Sequence, residues 1–239
     1  MTTILILGSA PMAVEARTWA REPFDAIVAI NNAHAIRSDW DYLVYPWDFP
    51  ASRVPSAAVG QRLVSEDEFV PAQNAQGGFV YAGGTMAFTT AYWALQTLRP
   101  RCMAFFGCDM HYPHSGPTHF YGTGTADPLR PDVTLRSIEA KSARFMVLAA
   151  RAGCRVVNLS TGPSRLVFPR ASRHNLAASP LIRYDDSLAE RALKREAALG
   201  YRVPSGRYWE EAHRFDPAQI DALDTLWRDA AEPEAALLS

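Results

Sequence analysis

TILILGSAPM, Thr3–Met12, joins a strand-length apolar run to a turn of small residues. The run has no helical spacing, which is the pattern of a strand covered on both faces in a parallel sheet. Gly8 permits a tight turn, and Pro11 suits the first turn of a following helix. Working outward, the same kind of run recurs as AIVAIN (26–31), CMAFFG (102–107) and CRVVNL (154–159), with DYLVYP (41–46) as a weaker fifth. Helical segments are expected at 10–21, 85–98 and 134–153, the last stopped by Gly153. Strands alternating with helices make βαβ units, so residues 1–170 are read as one α/β domain with a doubly wound, mostly parallel sheet. From residue 171 the pattern changes. SLAERALKREAALG (187–200) and DPAQIDALDTLWRDAAE (216–232) read as amphipathic helices of a C-terminal helical appendage, 171–239. That appendage is expected to pack on the α/β domain, on a second copy of the chain or on a membrane surface.

Composition narrows the function classes. The 239 residues carry 24 basic and 25 acidic side chains, net −1, which supplies no global attraction to nucleic acid. The charged fraction of 21% and hydrophobic fraction of 48% describe a folded, soluble chain. Cys102, Cys108 and Cys154 form no CxxC pair and two of them lie in strand-like runs, so they are read as buried thiols of a cytoplasmic protein.

In a doubly wound sheet ligands bind beyond the carboxyl ends of the strands. The segments there are small or polar: Gly8, Ser9, Ala10 and Pro11 after the first strand, Asn31 and Asn32 ending the second, then GCDMHY after the third and STGPSRL after the fourth. The first turn lacks GxGxxG and a Walker lysine, which disfavours dinucleotide binding and P-loop chemistry. The amino end of its helix is expected to offer N–H groups to an anion. Gly84 and Thr85 stand before the helix at 85–98, where Thr85 is placed to cap it. Asp109, His111, Tyr112, His114, His119 and Tyr121 crowd the region after CMAFFG. A metal is not expected there, because the loop lacks the spacing of a zinc site. A lid over residues 110–132 that grips an anion with tyrosine hydroxyls, and moves a proton with a histidine of ordinary pKa about 6.5, fits the composition better. Ser160, Thr161, Ser164, Arg165 and Arg170 are further candidates for ligand contact.

The order of these pieces resembles the bacterial sialyltransferases of glycosyltransferase family 42, over roughly residues 3–170. LGSAPM is similar to that family's G-N-G-P-S turn, FDAIVAINNAH to its F-D…N-Q segment, GCDMHY to its G-I-D-F-Y, and NLSTGPSRL to its C-P-N-S-L-L turn. The resemblance implies a Rossmann-like fold and metal-free, inverting transfer from a CMP-sugar donor to a glycan hydroxyl, with no cofactor. It implies Gly8–Pro11 by the nucleotide phosphate, Asn31 and Asn32 by the cytidine, and Gly84 with Thr85 near the donor sugar or phosphate. Tyr121, with His111 or Tyr112, would steady the leaving phosphate. Two departures stand out. Ser9 replaces the family's asparagine, and GTADPLRPDVTLRSIE has no histidine where the family's catalytic base falls. The base is then His119 or His111, or Asp127 or Asp132, or the chemistry differs. The alternatives are a pterin-type diphosphokinase using ATP and Mg²⁺, and a non-catalytic nucleotide-sugar-binding protein.

Overall fold

The structure, a computed structural model, describes residues 2–112, 115–124 and 130–232. Six strands form one sheet: β1 (Thr3–Leu7), β2 (Ala26–Ile30), β3 (Tyr42–Val44), β4 (Arg62–Val64), β5 (Cys102–Phe106) and β6 (Arg155–Asn158). The order is β4-β3-β2-β1-β5-β6 and each neighbouring pair is parallel. Both faces are buried, as the continuous apolar runs require. On one face Ile4, Ile6, Val28, Ile30, Met103 and Phe105 pack with helices, while Leu5, Leu7, Ile27, Ala29, Ala104 and Phe106 fill the other.

The first face is covered by α1 (Glu66–Ala75), α2 (Phe79–Ala82), α3 (Met86–Thr97) and α4 (Ile138–Arg151). The second face carries 3-10 helices, including Pro11–Thr18, Asn31–Ala35 and Arg173–Ala178. The helical segment expected over 10–21 is a 3-10 helix, Pro11–Thr18. Its buried residues, Ala13 and Ala16, are three apart, which matches a repeat of three residues per turn and lets the chain lie close to the sheet. β4, α1 and α2 have no counterpart among the expected elements. β4 is a three-residue edge strand that begins on an exposed arginine, so it lacks the apolar run of a central strand.

α5 (Asp186–Leu199) and α6 (Pro217–Ala231) form a further layer outside α4. Arg144 of α4 holds Glu196 of α5 through two hydrogen bonds of 2.7 Å, and Trp227 Nε1 of α6 donates to the same carboxylate at 2.8 Å. Lys141 reaches Asp224 of α6 at 2.7 Å. The apolar stripes of the two helices are thus spent inside this chain. Among the described residues no helix is long and apolar enough to cross a membrane.

The chain winds from β1 outward to β4, then crosses to β5 on the other side of β1. This reversal makes the β1/β5 boundary the switch point, and its carboxyl side is where a crevice is expected.

Candidate functional site: two adjoining chambers at the sheet's carboxyl edge

A small chamber of about 150 Å³ lies at the switch point. Its base is backbone. Gly8 N–H donates to Phe106 C=O at 2.8 Å and Ala10 N–H to Gly107 C=O at 3.0 Å. A Cβ on Gly8 would sit 2.3 Å from Gly107 O, so glycine is required for this contact. The N–H groups of Gly8 and Ala10, ahead of the helix, are taken by the carbonyls of Phe106 and Gly107.

Asn31 closes β2 with φ of +51°, and its side-chain Oδ1 is buried with no hydrogen-bond partner. It lines the small chamber. Met110, beyond β5, also lines it and also has positive φ, +49°. Such backbone persists only where surrounding structure holds it, and it clusters at ligand sites. Thr85 caps α3 by accepting from Phe88 N–H at 3.3 Å, and it too faces the chamber. Cys108 is on the wall, but burial, then Asp109 beside it, push its thiol far above the usual range. It is no nucleophile at neutral pH.

The roof is the turn at 118–124. His119 and Gly122 exchange backbone hydrogen bonds at 3.0 and 3.1 Å, and Phe120 N–H docks the turn on Ser9 C=O at 3.0 Å. The His119 ring stacks on Tyr121, centroids 4.9 Å apart, with Tyr112 at 6.0 Å on its other side. His119 Nδ1 lies 2.9 Å from the Thr118 hydroxyl, which also has Gly124 C=O at 3.3 Å. With the hydroxyl proton on Gly124 C=O, Nδ1–H donates to Thr118 and the lone pair sits on Nε2, the form a general base needs. His111 is on the exposed rim.

Asn31 and Met86 also wall a second, larger chamber of about 760 Å³. It spreads beyond β3 and β4, between Trp47, Glu66 and Gly84 on one hand and Ser205–Trp209 on the other. A hydrogen-bonded cluster forms part of its wall. Tyr208 O–H donates to Asp132 at 2.7 Å, and Arg130 reaches the same carboxylate at 3.0 Å and Gly84 C=O at 3.1 Å. Burial alone would raise the Asp132 carboxyl, but hydrogen bonds from Tyr208, Thr134 and Arg130 outweigh it and hold it below the ordinary range. Burial, then the Asp132 charge, push the Tyr208 phenol up to about 12. A carboxylate held this firmly ionised is a poor proton acceptor near neutral pH, so Asp132 is a fastener of this wall.

The structure therefore gathers Gly8, Ser9, Ala10, Asn31, Thr85, His111, Tyr112, His119 and Tyr121 around the small chamber, and Gly84 on the large one. Pro11 and Asn32 line neither. Asp109 and Ser164 line neither chamber and are bonded to protein groups. Ser160 Oγ donates to Asp109 at 2.6 Å, and Asn158 Nδ2 bridges Asp109 at 3.1 Å and Ser164 at 3.0 Å. This buried network ties the exits of β5 and β6, so the turn after β6 folds back on protein. Arg165 is engaged by Glu139 at 2.7 Å, and Arg170 by the carbonyls of Ser160 and Gly162. His114, Asp127 and part of the lid expected over 110–132 lie outside the described residues. Among those that are described, no three His, Cys, Asp or Glu side chains are grouped as metal ligands.

Trp47, Tyr208 and Trp209 escaped the sequence reading. Trp47 follows DYLVYP, so extending the strand-end rule to that weaker strand finds it. The aromatic segment 201–215 is the only local sign of Tyr208 and Trp209. No protein-family model, curated protein or solved structure matches this chain.

Proposed function

We propose that the protein is a nucleotide-sugar-dependent glycosyltransferase, sialyltransferase-like, that takes a CMP-sugar donor and inverts the anomeric carbon in the cytoplasm. One observation carries the reading: the turns beyond β1, β2 and β5, the cap of α3 and the Tyr/His turn share a single chamber whose described lining holds no carboxylate. Hydroxyls, an amide and imidazoles without a competing negative charge suit a phosphate. At about 150 Å³ the chamber is below the usual ligand pocket of roughly 300–1,000 Å³. It takes the phosphate end, and the remainder of donor and acceptor extends into the larger space past Asn31 and Met86.

In this reading the acceptor hydroxyl attacks the anomeric carbon as His119 Nε2 takes its proton. The bond from that carbon to the phosphate oxygen breaks, and the charge left on the phosphate is met by the Tyr112 and Tyr121 hydroxyls. Each such donor contributes about 3 kcal/mol to lowering the barrier. Asn31 Oδ1, buried and unpartnered, accepts from the nucleotide.

A thermal-shift panel of CMP, CDP, UDP, GDP and ATP, with and without Mg²⁺, tests the donor. CMP at about 100 times its Kd raises stability by about 2.7 kcal/mol without Mg²⁺. Stabilisation by ATP that requires Mg²⁺ would replace this reading with the diphosphokinase one. Donor hydrolysis then separates enzyme from binder: Tyr121→Phe and His119→Ala each lose activity, and unchanged rates in both would remove the assigned roles.

A further inference from the structure

The two chambers differ in charge as well as size. The small one has no described carboxylate, whereas the large one is lined by Asp48, Glu66, Asp67 and Asp132 against Arg130 and Arg207. Those two arginines are engaged by protein carboxylates, Arg130 by Asp132 at 3.0 Å and Arg207 by Glu210 at 3.5 Å. The side chains of Asp48, Glu66 and Asp67 make no hydrogen bond or ion pair to any described residue. The amino end of α1 favours acids at 66–68 for its own sake. Of these Glu68 alone has a cation, Arg62 at 2.8 Å, and Asp48 stands on no helix.

Aromatic faces complete the pattern. Three aromatic side chains stand out as large and exposed among the described residues: Tyr121 on the small chamber, Trp47 and Trp209 on the large one. Trp47 is 66% exposed and Trp209 is 52% exposed. Trp209 is braced edge-on by Tyr208 at 5.4 Å, and Tyr208 stacks on Phe79 at 6.1 Å. Carboxylates without a cationic side-chain partner give the cavity negative potential, and indole faces attract cations directly.

We propose that the large chamber is a binding site for an organic cation, an ammonium group carried on an apolar or sugar-like body. An anion is repelled there and directed to the small chamber. In the transferase reading this makes the acceptor amine-bearing, but the site stands on its own cavity and charges, independent of nucleotide binding.

The test is titration of the full chain at low salt, followed by tryptophan fluorescence and calorimetry. The probes are choline beside its uncharged isostere 3,3-dimethylbutan-1-ol, and glucosamine beside glucose. At least one cation binds about tenfold more tightly than its neutral counterpart, in the range a desolvated cation–π contact supports. Binding weakens as salt is raised, and falls about tenfold in Trp209→Ala and in the double variant Glu66→Gln/Asp67→Asn. Circular dichroism verifies that both variants fold. Equal affinity for charged and neutral partners, affinity unchanged in the acid-neutralised variant, or no binding of either cation up to about 10 mM overturns the proposal. Choline or glucosamine binding without CMP binding would leave this site standing and remove the nucleotide reading, and the reverse result would do the opposite.

Discussion

Asn31 combines a left-handed backbone with a buried side-chain oxygen that has no partner, so its two burdens can be separated by substitution. Asn31→Gly keeps the backbone and deletes the amide. It is expected to melt at or above the wild-type temperature while losing the CMP-induced shift. Asn31→Ala loses the same shift and is less stable than Asn31→Gly by about 1 kcal/mol, because left-handed backbone is strained for a residue that carries a Cβ. Urea melts with and without CMP check both. Gly8 answers to a different constraint. Its missing Cβ leaves room for Gly107 O and for Cys108 Sγ, which would lie 2.3 and 2.7 Å away. Gly8→Ala therefore costs about 3 kcal/mol through a forced shift of the β1 and β5 exits, read as a lowered urea midpoint.

The segment between α5 and α6, which carries a 3-10 helix at Tyr208–Arg214, shows how a long connection is held in place. Tyr208 is buried and donates to Asp132, while Arg130 bonds both the Tyr208 hydroxyl and Gly84 C=O. Tyr208→Phe is expected to cost about 1.5–3 kcal/mol, the range for a hydrogen bond to a charged group. The depressed Asp132 carboxyl sets the sign of the pH effect. Its contribution is complete above the unfolded value of about 3.9 and is lost as pH falls toward the lower folded value. The stability gap between wild type and Asp132→Asn should therefore narrow below about pH 3.9, as followed by denaturant melts across acid pH. A gap that stays constant or widens there would show that Asp132 is not held ionised by these partners.

The whole molecule is bolted together by Arg144, which is fully buried between α3, α4 and the C-terminal helices. Tyr92 accepts from it at 2.6 Å, the Gln76 carbonyl at 2.6 Å, and Glu196 takes two bonds. Burial on its own would lower the arginine's pKa, but Glu196 and Tyr92 reverse that and leave it more firmly protonated than usual. Glu196→Ala strands the buried guanidinium and Trp227 Nε1 together, at an expected cost of about 3–5 kcal/mol. Replacing both members, Arg144→Met with Glu196→Leu, costs less than the single change because no buried charge remains unpaired. Thermal melts of the three variants decide it; a double variant as damaged as Glu196→Ala would assign the cost to packing.

Unbroken apolar runs without helical spacing were enough to name the central strands and their parallel pairing, and helical stripes to name the amphipathic C-terminal helices. These features depend on burial pattern, which composition displays directly. The rule that ligands meet strand ends then led to Ser9 and Asn31, the helix start to Thr85, and the loop composition to His119 and Tyr121. Residue order could not show which polar groups face ligand and which face protein. Asp109 and Ser164 look as available as Asn31 until Asn158 and Ser160 are seen to occupy them. Nor could it show that Tyr208 and Trp209 share a chamber with Gly84 and Trp47, since that arrangement follows from α5 and α6 docking on α4 through Arg144 and Lys141. The larger chamber is walled by segments distant in sequence, and two separate buried ion pairs, Arg144–Glu196 and Lys141–Asp224, fasten the C-terminal helices that carry one of those segments, which is a property of folded geometry.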